Sequence, residues 1–379
     1  MTYDLPTLAR AYNGFGLRLL SHLQKQFPLQ NTFISPMSIA MALAMTYNGA
    51  RGETERAMAE TLGVPGMSRH TLNQLNQTVL ENLANADNSV DLTIANSLWA
   101  RHDIPFVPAF LSAVRAAYRA ELANVNFLAP DTCPRINRWV EQATRNRITD
   151  LIQPADLNEE TILILINAIY FKGKWERPFD PAATQELPFT CANGAVKQHP
   201  FMAQSARFHY HQDHQVQIVR LPYGKGRLSM RVILPAPGVR ITDILATLDE
   251  ARWRAWNDAL QSREGTVKLP RFKMEYAAEL TAPLSALGMA IAFDRQRADF
   301  RDMATIRERI CISAVRHKAF IEVNEEGTEA AAATGVVMAR VTAIMPTERF
   351  MMICDRPFLY AICDDETGLL LFLGTVQQL

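Results

Sequence analysis

The chain has 379 residues, and its 39 basic and 39 acidic side chains leave no net charge. That balance excludes the basic field needed to hold nucleic acid or an anionic membrane surface, so neither is an expected partner. No apolar run approaches the roughly 18 residues of a membrane span. The N-terminal MTYDLPTLARAYNGFGLRLL is polar and charged throughout and lacks the apolar core of a secretory signal. A cytoplasmic or leaderless protein is expected, extracellular only if a leader has been removed. The five cysteines, Cys133, Cys191, Cys311, Cys354 and Cys363, are odd in number and widely spaced. No CxxC or CxxH pair occurs, so a disulfide framework and a zinc site are not expected. The 48% apolar content supplies a large core, and no Pro/Gly/Ser-rich linker or charge run divides the chain. One domain over 1–379 is expected despite a length that by itself suggests two or three.

In chain order, Leu8, Tyr12, Phe15, Leu19 and Leu23 recur at helical spacing and predict a helix over 7–25. Asn31–Ser38 reads as a short strand ended by Pro36. Helices follow at Ala40–Tyr47 and Glu53–Leu62, the first stopping at Asn48-Gly49 and the second at Gly63. Another helix spans 69–86. Leu92, Ile94, Asn96 and Leu98 alternate, so 90–101 is a strand. A helix follows Pro108, and Ile136, Trp139, Val140 and Ala143 place one more. Thr161–Lys172, TILILINAIYFK, is the β-branched run of a central strand covered on both faces. Strand pieces dominate 187–235, notably His214–Leu221 and Leu228–Leu234. Ile241–Leu260 is helical, Thr266–Met274 a strand, Leu280–Leu287 a short helix, and Ile310–Asn324 a long strand. Phe358–Cys363 and Leu369–Val376, joined through Asp364-Asp-Glu-Thr-Gly368, read as a hairpin. Helices gather in the first half and strands in the second, which argues for an α+β fold.

The stretch Glu325–Phe358 stands apart. Gly327 and Gly335 bracket Thr328–Thr334, where six of the seven residues are Thr or Ala in near-continuous series around Glu329. A short alanine helix capped by Thr328 is one reading, but seven residues are too few to hold a helix in water without packing. The other reading is a strand that changes state. Gly327 gives the backbone freedom to swing. Thr328, Ala330, Ala332 and Thr334 would share one uncharged face, with Glu329 on the other.

These residues resemble the hinge and reactive-centre loop of the serpins, the serine protease inhibitor family, in its inhibitory type. Asn31–Ser38, Asn167-Ala-Ile-Tyr-Phe-Lys-Gly-Lys-Trp175, Leu221-Pro-Tyr, Leu269-Pro-Arg-Phe-Lys273, Leu287-Gly-Met289 and Asp355-Arg-Pro-Phe358 resemble serpin signatures in the family's order. The resemblance implies a single serpin domain with a large central mixed β-sheet, two further sheets, about eight to nine helices, and an exposed loop over about 325–350. It implies a hinge of Glu325, Glu326, Gly327, Thr328, Glu329, Ala330, Ala331, Ala332 and Ala333. It also implies a shutter of Ser35, Ser38, Asn167 and His317 under the middle of the main sheet, and a breach of Trp175, Arg271 and Glu325 where the loop first enters. His317 is in phase with Ala319, Ile321 and Val323, so it is equally a core histidine needing polar partners. An Arg271–Glu325 pair is worth about 3–5 kcal/mol if buried and about 0–1 if exposed.

What the resemblance implies about function is suicide-substrate inhibition. A protease attacks the loop, forms an acyl-enzyme, and is trapped when the cut loop inserts into the main sheet. Family spacing from Glu325 places the cut at Val341–Thr342, suited to an elastase-like or subtilisin-like enzyme, with Arg340–Val341 as the alternative for a trypsin-like one. The segment from the bait to Pro357 is longer than the family's usual one, which leaves room for a further bond out to Met345. The expected partner is a target serine protease in covalent complex with a monomer. No cofactor or metal is expected. No polyanion cofactor is expected either, since helix 69–86 offers only Arg69 and His70. The competing class, an enzyme, finds no GxSxG, HExxH or P-loop. A non-inhibitory carrier or chaperone is the other alternative, and bulky, charged or proline hinge residues would favour it; Thr328 and Ala330–Ala333 are none of these.

Overall fold

A computed structural model describes residues 3–84, 86–87, 89–328 and 349–379. The first half is helical: α1 (Leu5–Gln26), α2 (Pro36–Tyr47), α3 (Gly52–Leu62), α4 (Arg69–Ala84), α5 (Pro108–Tyr118) and α6 (Thr132–Ala143). Between them run β1 (Thr32–Ile34), β2 (Val90–Arg101) and β3 (Glu121–Val125). Then come β4 (Leu163–Lys174), β5 (Gln185–Thr190), β6 (Val196–Gln212), β7 (Val216–Pro222) and β8 (Leu228–Pro235). After α7 (Ile241–Thr247) and α8 (Glu250–Asp258) come β9 (Gln261–Pro270) and β10 (Phe272–Glu279). A broken helical run, α9 (Thr281–Leu284) to α10 (Ala290–Phe293), precedes β11 (Ala314–Asn324), β12 (Gly327–Thr328), β13 (Phe350–Ile353), β14 (Phe358–Asp364) and β15 (Leu369–Val376).

The main sheet has the order β10-β11-β12-β4-β2-β3 and is mixed: β11 is parallel to β4, and β2 is antiparallel to it. The two further sheets expected from the sequence meet in one nine-stranded network, β1-β15-β14-β8-β7-β6-β9-β13, with β5 also on β6. The 17-residue β6 joins the halves, pairing first with β5, along much of its length with β9, and finally with β7.

Several elements differ from the sequence reading for local reasons. Pro36 ends β1 but also opens α2, because Ser35 caps that helix by accepting from the Ser38 amide, and proline suits the first helical turn. The helix expected over 241–260 is two, since Asp249 caps a new start by accepting from the Arg252 amide. The strand expected over 266–274 divides at Arg271: β9 belongs to the second sheet and β10 to the main one, so the chain crosses between sheets there. The expected helix 280–287 is helical from Thr281, and the run kinks just beyond it at Gly288, whose φ of 116° suits glycine.

Two apolar cores sandwich the main sheet. The larger lies beneath it, with α1 and α2. The smaller lies above, where Ile136, Val140 and Ile148 of α6 and its exit cover Trp99, Ile164, Ile166 and Phe320. All five cysteines are free and buried, and burial pushes the Cys363 thiol up to about 12.

Candidate functional site: the seam of the main sheet

Strands β11 and β4 bond each other directly from the Ala314–Ile164 pair to the Phe320–Tyr170 pair. Above that level they diverge around β12. Gly327 and Thr328 pair with Asn324 and Val323 on one side and with Lys174 and Gly173 on the other. Thr328 is therefore strand, not the cap of an alanine helix. The seam is closed below and holds the first two residues of an extra strand above. Of the hinge, Glu325, Glu326, Gly327 and Thr328 are described. Glu329, Ala330, Ala331, Ala332 and Ala333, and the bait residues Arg340, Val341 and Thr342, lie outside the described residues.

Sterics explain the glycine. Gly327 has φ of 152°, and a Cβ there would collide with the Gly173 carbonyl. Thr328 is fully buried, and its hydroxyl shares a 2.8 Å hydrogen bond with the Tyr223 hydroxyl. Burial with that single partner pushes the Tyr223 phenol well up. Trp175 stacks on Tyr223 at 4.4 Å and donates from its indole to the Asn324 carbonyl at 2.9 Å. The Trp175 and Phe179 amides donate to the carbonyls of Glu326 and Glu325. An aromatic wall thus fixes the turn between β11 and β12.

The Glu325 carboxylate accepts from Arg271 at 2.5 and 2.8 Å and from the Thr184 hydroxyl at 2.5 Å. Its side chain is 7% exposed while that of Arg271 is 45% exposed, so the pair falls between the buried and surface cases. Burial pushes the Glu325 carboxyl up, but the Arg271 and Thr184 hydrogen bonds outweigh it and hold the group below the usual glutamate range. A depressed carboxylate contributes stability above its ordinary value that is lost as pH falls through the folded value. Arg271→Ala is expected to destabilise the intact protein by about 1–3 kcal/mol, between the two limits. Urea unfolding at pH 7 measures it, and the cost should shrink once the pH falls below the glutamate range.

Lower in the seam, His317 and Asn167 are opposite each other in the β11–β4 register, and Asn96 is opposite Asn167 on β2. Side-chain hydrogen bonds link the row across all three strands. His317 Nδ1 donates to Asn167 Oδ1 at 2.6 Å, while Asn167 Nδ2 donates to Asn96 Oδ1 at 2.5 Å and to the Ser38 hydroxyl of α2. Among the described residues, His317 Nε2 and Asn96 Nδ2 have no hydrogen-bond partner. Complete burial drives the His317 pKa down to about 3, so the ring is neutral. The structure brings Ser38, Asn167 and His317 together but not Ser35, whose hydroxyl donates to the Leu371 carbonyl at 2.6 Å and caps α2. Asn96 was missed, although its phase with Leu92, Ile94 and Leu98 places a polar side chain among apolar ones.

Arg69, at the start of α4, is turned inward onto Asp302, Glu55 and the carbonyls of Asn48 and Ala50. Among the described residues, no group of three or more His, Cys, Asp or Glu could hold a metal ion. No helix among them is long and apolar enough to cross a membrane.

The main sheet is thus closed along its seam, with the two residues of β12 paired between β11 and β4 at one end. The family model for serpins, described as serine protease inhibitors, matches residues 10–379. Human Serpin B9 is 35% identical over 98% of this chain and 99% of its own length; the bovine leukocyte elastase inhibitor is 37% identical with the same coverage. The thermophilic serpin tengpin in its native state superposes with a TM-score of 0.91 at 31% identity, covering 100% of this chain and 96% of its own. The chain belongs to the serpin family.

Proposed function

We propose that this chain is a suicide-substrate inhibitor of serine proteases. The protease cuts the loop and is held as an acyl-enzyme while the loop's N-terminal part zips into the seam as a full strand. The observation that carries this reading is β12: two residues already bonded to both β11 and β4, above a seam that is closed but for them. From Thr328 to Val341 there are 14 residues, which as a strand span roughly 46 Å. That length would carry the tethered protease from one pole of the molecule to the other and distort its active site.

The roles follow from that path. Trp175, Arg271 and Glu325 hold the mouth where insertion begins, and Ser38, Asn167 and His317, with Asn96, hold the seam that must open. The favoured bond is Val341–Thr342, with Arg340–Val341 as the alternative. A valine bait fits a small apolar specificity pocket, and four of the relatives carry the name leukocyte elastase inhibitor, so an elastase-like target is tried first. Subtilisin-like and trypsin-like enzymes complete the panel. No polyanion cofactor is proposed, because Arg69 is already engaged inward. The human thyroxine-binding globulin complex shares the fold at a TM-score of 0.89, so fold alone does not separate inhibitor from carrier; the small-residue hinge supports the inhibitor.

The protein mixed with each enzyme is expected to give, with at least one, a complex that survives denaturing electrophoresis. Mass spectrometry of the released C-terminal peptide would identify the bond. Clean loop cleavage with full protease activity remaining would overturn the proposal.

A further inference from the structure

The lower end of the seam opens into a cleft. Just below the Ala314–Ile164 pair the strands are clasped once more. The Ser313 amide donates to the Leu163 carbonyl at 2.8 Å, and the Ser313 hydroxyl accepts from the Ile162 amide at 2.9 Å. Beyond this clasp lies a cavity of about 250 Å³, whose lining includes Asp156, Glu160, Thr161, Phe293, Arg295 and Cys311. Among the described residues that line it there are two carboxylates and one basic side chain, Arg295. The Asp156 carboxylate is already engaged, accepting from Arg316 at 2.7 Å and from the Gln153 amide at 2.9 Å. The Glu160 side chain is 74% exposed and meets Arg295 at 3.2 Å, while Arg295 also donates to the Glu160 carbonyl at 2.6 Å. So open a carboxylate has room for a second guanidinium.

The register set by β12 says which residues would reach this cleft, and here the inference rests on the insertion reading above. Thr328 is opposite Gly173 and Val323. Counting on from there, Met338 comes level with Leu163 and Ser313 and takes the place of their clasp. Arg340 lies two residues lower, roughly 7 Å farther along the strand, at the cavity. From Thr328 to Val341, Arg340 is the only cation. The single positive charge of the inserting segment thus arrives where Glu160 waits, and an arginine fork can pair with a carboxylate through two parallel bonds.

We propose that this cleft is the receptor for the far end of the inserted strand, with Glu160 pairing the Arg340 guanidinium. When the cut follows Val341, that pairing leaves one residue between the inhibitor body and the acyl bond. The trapped protease is then held tight against the end of the sheet, with no slack in which to recover its active site. Glu160 is a positioning residue: it acts through Arg340, and only after insertion.

The test uses Glu160→Gln and Arg340→Gln, singly and together, against the protease that wild type inhibits, with the cut located by mass spectrometry. Covalent complexes are purified and the return of protease activity is followed. Each single variant is expected to release active protease at least twofold faster than wild type, and the double variant no faster than the faster single one. Uncut Glu160→Gln is expected to keep the wild-type association rate and urea midpoint, which a merely structural role would not spare. If the cut follows Arg340 itself, Glu160→Gln carries the test alone, since it leaves the bait unchanged. Release from Glu160→Gln less than twofold faster overturns the dock. So do single effects that multiply in the double variant, or a wild-type cut before Arg340, which would send that residue away with the C-terminal peptide. Failure of the parent reading looks different: wild type then forms no stable complex with any protease in the panel.

Discussion

Thr328→Arg is expected to abolish trapping and leave a loop that is still cut. Thr328 is fully buried between β11 and β4, with only the Tyr223 hydroxyl to meet a polar group. A guanidinium inserted there has no carboxylate to pair with, and an unpaired buried charge costs several kcal/mol. About 4 kcal/mol on the barrier slows insertion roughly a thousandfold. Deacylation then wins, and the protease leaves active. Only the two residues of β12 are displaced in the intact protein, so the fold should survive. The measurement is the number of inhibitor molecules consumed per protease inactivated, together with a denaturing gel. A variant that inhibits with wild-type stoichiometry would show that residue 328 does not enter the seam.

Intact-protein stability is expected to fall as pH drops from about 7 to 5, with His317 as the cause. In the fold this ring is neutral down to about pH 3 because burial opposes its charge. In the unfolded chain it takes a proton near 6.5. The unfolded state therefore binds more protons between those values, and stability declines as pH falls through the window. At about 1.36 kcal/mol per unit, the drop is roughly 2 kcal/mol by pH 5 and about 4–5 kcal/mol once pH 3 is reached. His317→Gln keeps a donor for Asn167 Oδ1 and removes the titration. Denaturant unfolding of wild type and variant at pH 7 and pH 5 isolates the contribution as the difference between their slopes. Equal slopes would mean that the ring is protonated in place. Glu325 adds its own loss only below the glutamate range, so the two windows separate.

Much of this was legible in the chain. Residues 90–101 and the tail hairpin carry unbroken alternation or unbroken apolar character, and their strands fall where the pattern puts them. The expected hinge rested on small residues between two glycines, and of it the structure describes Glu325 to Thr328, with Gly327 and Thr328 in strand. The rest failed for identifiable reasons. Strand β6 trades partners along its length, so neither face stays buried and the period fades. The split at Arg271 came from a change of sheet, which no local pattern records. Ser35 and Ser38 look alike in sequence, yet one hydroxyl serves the Leu371 carbonyl and a helix cap while the other faces Asn167. Only the packing of α2 against the sheet separates those roles.

The pairing of Gly327 and Thr328 with both flanking strands settles, in the proposed mechanism, the phase of everything that follows. Counting on from Thr328 opposite Val323 and Gly173, Thr334 arrives level with His317 and Asn167, the two partners that must part to admit it. An incoming hydroxyl would then replace the 2.6 Å bond between them at the moment it is severed. Alignment of the new strand is thus inherited from two residues seated before any cut, and one residue added between Thr328 and Thr334 would deliver the wrong side chain to that row and turn every later one over.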